Sequence, residues 1–347
     1  MNVDYIIVGC GLAGDSFCEQ LIANDKTFVV INNHSQQASF VAGGVYNPVV
    51  LKRFSVVWKS VEQLAVALPM YKRIEERFNV QLDYKIPVYR RFTSLEEQND
   101  WYTASEQPEL SKFMSDSLIK NLNPSVNADF GFGEVLDTGK IDTQCLIDHY
   151  TSYLKENNQL VQETFDFEAI TYGDSEINYK TIKAKHIVFA EGYGVVNNYF
   201  FPDIKLKEAK GELLTIHAPE LKIDYILKAN VFIIPMGNDL YTVGSTYNWT
   251  DKSNTVTEAA KVELLTKLKP LINCDFKVVG QSAGIRPTVS NRRPVIGTHP
   301  EHHNVHIING LGTRGVMIGP YIAKILYNAI ENNGAIDSEI DYKRFIS

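Results

Sequence analysis

The sequence predicts an α/β part with a parallel sheet, interleaved with an α+β part built on an antiparallel sheet. Three observations carry this. The chain opens on a β–α–β pattern: apolar Tyr5-Ile6-Ile7-Val8, a glycine turn, an amphipathic stretch, then apolar Thr27 to Ile31. A second glycine-rich segment, Asn309-Gly310-Leu311-Gly312-Thr313-Arg314-Gly315, lies near the other end, before a long apolar helical pattern. Between them, Gly211 to Gly244 alternates as antiparallel strands do.

Tyr5 to Val8 reads as a buried parallel strand. Leu12 to Asn24 reads as a helix with Phe17, Leu21 and Ile22 on one face. Ala38 to Pro48 is small and glycine-rich and ends at a proline, which predicts a loop. Val57 to Phe78 predicts a long amphipathic helix whose Lys72 to Arg77 stretch is a solvated face. Val80 to Phe92 shifts to short strands broken at Pro87. Ser94-Leu95-Glu96-Glu97 starts another helix with a capping-box pattern. Asp142 caps a helix to about Glu156. Val161 to Ile182 reads as short strands with a turn at Gly173-Asp174, and His186 to Ala190 returns to the parallel sheet. A hairpin is expected around Gly237-Asn238-Asp239. Thr255-Val256-Thr257-Glu258 caps a helix to Leu268, before Pro270. No repeat or flexible linker separates the parts.

With 347 residues the chain is long enough for two cores, and 44% hydrophobic with 22% charged content is ordinary for a globular protein. A net charge of −7 argues against a protein built mainly to grip nucleic acid. No stretch approaches the ~18 uninterrupted apolar residues of a membrane helix. The start lacks a basic n-region, so a cytoplasmic location is expected. Cys10, Cys18, Cys145 and Cys274 lack disulfide or zinc spacing and are expected as small buried hydrophobes.

Gly9-Cys10-Gly11-Leu12-Ala13-Gly14 fits G-x-G-x-x-G between a strand and a helix. Gly9 allows the turn, Gly11 lets backbone approach a pyrophosphate, and Gly14 lets the helix pack on the strand. The helix N-terminus favours the phosphates. The acid expected about 20 residues on, for the adenosine ribose, is missing; Asn32 stands there, with an amide but no charge. Arg286 ends a strand running from Phe276. It reads equally as a bidentate clamp for a carboxylate or as half of a structural salt bridge. Arg314, between glycines, can reach a substrate or cap a carbonyl. His302, His303 and His306 lack the spacing of a metal site, so no metal is expected. Nucleophile-elbow, Lys-Ser/Thr phosphate-loop and Cys-x-x-Cys motifs are all missing.

Taken together, these segments resemble the D-amino-acid-oxidase-like FAD-dependent oxidoreductases. That group includes glycine oxidase, sarcosine oxidase and the flavin domain of a bifunctional tRNA-modifying enzyme. The likeness rests on Gly9 to Gly14, on Ser39 with Gly43-Gly44 and Asn47-Pro48, and on Phe189-Ala190-Glu191-Gly192. It continues through Lys210-Gly211-Glu212, Gly244-Ser245-Thr246, Ala283 to Pro287, Arg293 to Gly297, and Asn309 to Pro320.

The resemblance implies a discontinuous Rossmann-like FAD-binding domain of residues 1–78, 135–205 and 278–347. An interleaved antiparallel-sheet substrate domain would comprise 79–134 and 206–277. The implied FAD contacts are Gly9, Gly11, Leu12, Ala13, Gly14, Asn32, Ser39, Gly43, Gly44, Ala190, Gly192, Gly310, Gly312, Thr313 and Gly315. The turn from Gly310 to Gly315 would set a helix N-terminus at the flavin N1–C2=O edge. Arg286 matches the arginine that binds a substrate carboxylate, and Arg314 is the second candidate. Non-covalent FAD is expected.

Asn291 stands where an aspartate is common, and Phe232 where glycine oxidases carry a tyrosine, so simple glycine is a doubtful substrate. The implied reaction is oxidation of the C–N bond of an amino acid or related amine by hydride transfer to flavin N5. A modified tRNA base as substrate, and a flavin protein that has lost catalysis, are the alternatives. The electron acceptor (oxygen or another carrier) and the oligomeric state stay open. Tyr46, Tyr241, Tyr247 and Trp249 are candidate pocket aromatics.

Overall fold

The computed structural model of the protein describes residues 1–173 and 176–346. Its α-helices are α1 (Leu12–Ile22), α2 (Ser60–Phe78), α3 (Leu95–Ser105), α4 (Thr143–Glu156), α5 (Glu258–Leu268) and α6 (Gly315–Asn332). Ser94 accepts from the Glu97 amide at the start of α3, and Asp142 accepts from the Cys145 amide at the start of α4. α5 departs from expectation: its cap is Thr257, which accepts from the Ala260 amide, and not Thr255. α2 starts at Ser60 rather than Val57.

Five strands form a parallel core in the order Leu160–Val161, Phe28–Ile31, Asn2–Val8, Ile182–Phe189, Val305–Asn309. Val8 pairs with both Ile31 and Phe189, so these strands end level. The chain leaves that common edge through Gly9, Asn32, Ala190 and Gly310. In such sheets the carboxyl edge is where ligands bind. On one face α1 and α6 pack together with α2 and α4, burying Phe17, Leu21, Met317 and Ile322. Phe165, Tyr179, Phe200 and Phe201 fill the other face. Of the expected Gly173-Asp174 turn, Asp174 lies outside the described residues.

The second sheet has seven strands: Lys277–Arg286, Ala209–His217, Leu240–Gly244, Phe232–Gly237, Ile226–Lys228, Val88–Arg91 and Phe132–Val135, side by side in that order. Its pairs are antiparallel except Ile226–Lys228 with Val88–Arg91, which is parallel. The expected hairpin is present, with Asn238 and Asp239 at φ 52° and 59°. That conformation matches a two-residue turn between twisted strands. α5 covers one face of this sheet through Leu264 and Leu268, against Leu214 and Val243. Residues 278–286 belong to this sheet. We therefore propose that the last boundary between the domains falls after Arg286 rather than at 278.

Candidate functional site

The open face of the second sheet looks onto the carboxyl edge of the first. Between them lies a cavity of about 1120 Å³. That exceeds the usual ~300–1,000 Å³ of a small-ligand pocket and suits a dinucleotide plus a substrate.

At the cofactor half, α1 follows its cap residue Gly11 and aims its N-terminus into the cavity. Gly9 has φ +105°, and a β-carbon on Gly14 would lie 2.1 Å from the Gly9 carbonyl oxygen. The turn and the helix can approach this closely only with glycine at both places. The Leu12 amide donates to Ser39 Oγ at 3.1 Å, which draws the 38–44 loop over the turn. α6 begins at Gly315, and Gly315 packs against Leu12. Two helix N-termini thus converge on one cavity, although some 300 residues separate them. Their first amides have no intrahelical partner, so each carries a partial positive charge toward an anion.

Of the expected cofactor contacts, Gly9, Gly11, Leu12, Ala13, Asn32, Ser39, Gly43 and Gly44 all line this cavity. So do Ala190, Gly192, Gly310, Gly312, Thr313 and Gly315. Gly14 does not; it sits behind the turn as a spacer. Asn32 reaches the cavity with its amide engaged, since Nδ2 lies 3.1 Å from His34 Nδ1 and Oδ1 accepts from the His34 amide. An FAD-shaped ligand fits these residues: backbone cradles at two helix N-termini, and a long cleft between the sheets.

Two acids stand near this half. Asp15, in the first turn of α1, is 3% exposed; burial raises it to about 7, against the hydrogen bond from Cys10 Sγ at 3.2 Å. Among the described residues its Oδ2 has no partner. Glu191 lines the cavity, and burial raises it to about 7 although Asn198 Nδ2 donates to it at 2.7 Å. The sequence reading missed Asp15; an acid inside a glycine-turn helix start was its signal.

At the substrate half, Arg286 ends its strand and folds back across the neighbouring one. A β-carbon at Gly211 would lie 1.9 Å from Arg286 Nη2, so only glycine leaves room for this path. Nη2 donates to Ser245 Oγ at 2.6 Å, and the Tyr247 ring centroid lies 4.5 Å from Cζ. No carboxylate pairs with Arg286 among the described residues, which removes the salt-bridge reading. Burial pulls both Arg286 and Arg314 below the usual arginine range, and Arg292 adds to the effect at Arg314.

The alternation explains the flanking residues Lys210 and Glu212, which face away from Gly211. Lys210 is fully buried, 3.5 Å from Glu212 and 2.5 Å from Asp251. Glu212 accepts from the Thr257 amide and hydroxyl at 2.8 Å. This network ties the loop bearing Tyr247 to the sheet.

Tyr247 and Trp249 line the cavity and stack on each other. Tyr46 and Tyr241 do not line it: Tyr46 is buried and donates to Asp83, and Tyr241 lies in the core behind the second sheet. Phe232 lines the cavity, and so does Lys228, which the sequence reading passed over. His302 stacks on His299 and against Tyr172, away from the cavity. Of the cysteines only Cys18 is fully buried; the other three are partly exposed.

Comparison with known proteins follows the same lines. Residues 4–329 match the family model of FAD dependent oxidoreductases. Glycine oxidase of Bacillus subtilis is 24% identical over 220 residues, 58% of this chain and 59% of that protein. The tRNA 5-methylaminomethyl-2-thiouridine biosynthesis bifunctional protein of Campylobacter jejuni is 20% identical over 308 residues, 85% of this chain and 46% of that protein. The chain thus spans about half the length of these relatives. The crystal structure of glycine oxidase from Geobacillus kaustophilus superposes with a TM-score of 0.78 at 18% identity, covering 100% of both chains. The chain belongs to the FAD-dependent oxidoreductase family, and FAD is the cofactor that family implies.

Proposed function

From membership of that family we propose that this chain oxidises the C–N bond of an amino acid or a related carboxylate-bearing amine. The observation that carries the reading is Arg286: desolvated, without a carboxylate partner among the described residues, and laid on Gly211 at the cavity floor. An unpaired buried guanidinium is costly unless an anion meets it. A substrate carboxylate would take the N–H groups that Ser245 Oγ and the Thr246 carbonyl leave free. Ser245 and the Tyr247 ring hold the guanidinium in place. The anchored carboxylate then fixes the direction of the Cα–H bond, and positioning of this kind supplies much of the rate. Bound FAD supplies the acceptor for the hydride that leaves Cα, while the amine lone pair forms the imine that water hydrolyses.

Arg314 lies at the start of α6, near Tyr247 and Arg292, and is proposed as a second cation over the reacting region. The lone cysteine of the cavity wall, Cys10, turns its thiol to Asp15. This supports FAD held without a covalent bond. No helix among the described residues is long and apolar enough to cross a membrane.

The test is a screen of amines and amino acids with the flavin-loaded protein, followed by Arg286→Ala. Turnover of every accepted carboxylate substrate is expected to fall by about 10²-fold or more. Unchanged turnover would sink the reading. A second reading, a modified tRNA base, draws on the Tyr247–Trp249 stack and on exposed Lys52, Arg53 and Arg292, which line the same cavity. The net charge of −7 counts against it. A gel shift with bulk tRNA separates the two.

A further inference from the structure

The substrate half carries cations that one carboxylate does not answer. Lys228 lines the cavity and rests its ammonium 4.4 Å from the Phe232 ring centroid. Among the described residues no carboxylate pairs with it. The charged groups that act on it are cations already matched elsewhere: Arg90 pairs with Glu97, and Lys267 with Glu263. The acids of the cavity wall, Glu163 and Glu191, both stand on segments leaving the parallel sheet. Burial, with Arg90 and Lys267 nearby, pulls Lys228 down to about 8. A half-buried ammonium kept among cations, facing a cavity with no acid on its side, lacks its counter-charge.

Strand pairing places it. Arg286 reaches Ser245, just past Gly244. Gly244 pairs with Phe232, and Phe232 pairs with Lys228. Directly paired residues share a face of the sheet, so Lys228 stands two strands beyond Gly244, on the face that Gly244 and Phe232 turn to the cavity. At about 4.8 Å per strand the separation is roughly 10 Å.

We propose that the substrate carries a second anionic group, held by the Lys228 ammonium while Arg286 holds the first carboxylate. The inference rests on the carboxylate-bearing amine reading and narrows it to dianionic amines, a dicarboxylic amino acid being the simplest. Phe232 stands on the strand between Lys228 and Gly244, and its ring would pack on the carbon chain that joins the two anionic groups. Glycine, with one anionic group, leaves Lys228 unanswered.

The test uses the flavin-loaded protein and follows the flavin absorbance while butyrate, succinate, glutarate or adipate is added. At least one dicarboxylate is expected to bind about tenfold or more tighter than butyrate. Lys228→Met is expected to bring that ratio toward one, and Lys228→Arg to restore it. Lys228→Gln replaces the methionine variant if that one does not retain flavin. Equal binding of butyrate and every dicarboxylate by the unaltered protein overturns the proposal. So does a ratio that survives Lys228→Met. If no carboxylate of either kind perturbs the flavin, and Arg286→Ala changes nothing, the underlying reading has failed instead.

Discussion

The two halves of the cavity are built from different materials. The cofactor half is mostly backbone: glycine turns, the first amides of α1 and α6, and the Ser39 hydroxyl over the Leu12 amide. The substrate half is mostly side chain: Arg286 across Gly211, Tyr247 beneath it, and Phe232 and Lys228 on the neighbouring strands. A backbone site binds what any chain of that geometry binds, a pyrophosphate. A side-chain site binds what its charges select. The lesson is that cofactor and substrate specificity should fail separately when each half is damaged.

The largest effect should follow Gly14→Val. Its β-carbon would meet the Gly9 carbonyl at 2.1 Å, a backbone group that is not free to yield. The protein is expected to purify without flavin or not to fold, measured by absorbance and by the thermal transition. Arg286→Ala is the counterpart: flavin content retained and turnover lost. If Gly14→Val keeps its flavin, or Arg286→Ala loses it, the division into halves is wrong.

Next in size is a pH effect from Asp15. Its folded-state value of about 7 lies above the ordinary 3.8, so the folded chain holds a proton that the unfolded chain releases. The stability this contributes is full below about pH 3.8 and is lost as pH rises to about 7, a loss of a few kcal/mol. Asp15→Asn should therefore gain thermal stability over the parent at pH 8 and little at pH 4. Glu191, shifted in the same direction, leaves part of the slope in the variant. Equal pH profiles for both proteins would show that Asp15 is charged at neutral pH.

The smallest expected effect sharpens the cofactor half. Asn32→Asp restores a carboxylate at the end of strand Phe28–Ile31, where a ribose hydroxyl would donate to it. A charge-assisted bond exceeds a neutral one by about 1 kcal/mol, so FAD should bind roughly fivefold tighter, read by equilibrium titration. Weaker binding would mean that the amide, tied to His34, already holds the turn in the better shape.

Much of the fold was legible because its signals are local. The β–α–β start, the caps at Ser94 and Asp142 and the turn at Asn238-Asp239 each depend on a few adjacent residues. Where competing local signals coincided, the reading slipped, as with Thr255 and Thr257 before α5. The aromatic candidates could not be sorted from sequence: Tyr46 and Tyr241 turned to the core, Tyr247 and Trp249 to the cavity.

The sequence by itself determined the cofactor end, because a glycine where a β-carbon cannot fit is a statement about backbone, and backbone geometry is what a pyrophosphate reads. Only the tertiary structure decided the substrate end. Whether Arg286 is a clamp or half of a salt bridge depends on which carboxylates come within reach, and none of those described does. Whether Lys228 is a surface charge or a ligand depends on which face of which strand it occupies, and on what stands across the cavity. Those are distances between residues far apart in the chain, set by how two sheets pack, and no local pattern encodes them.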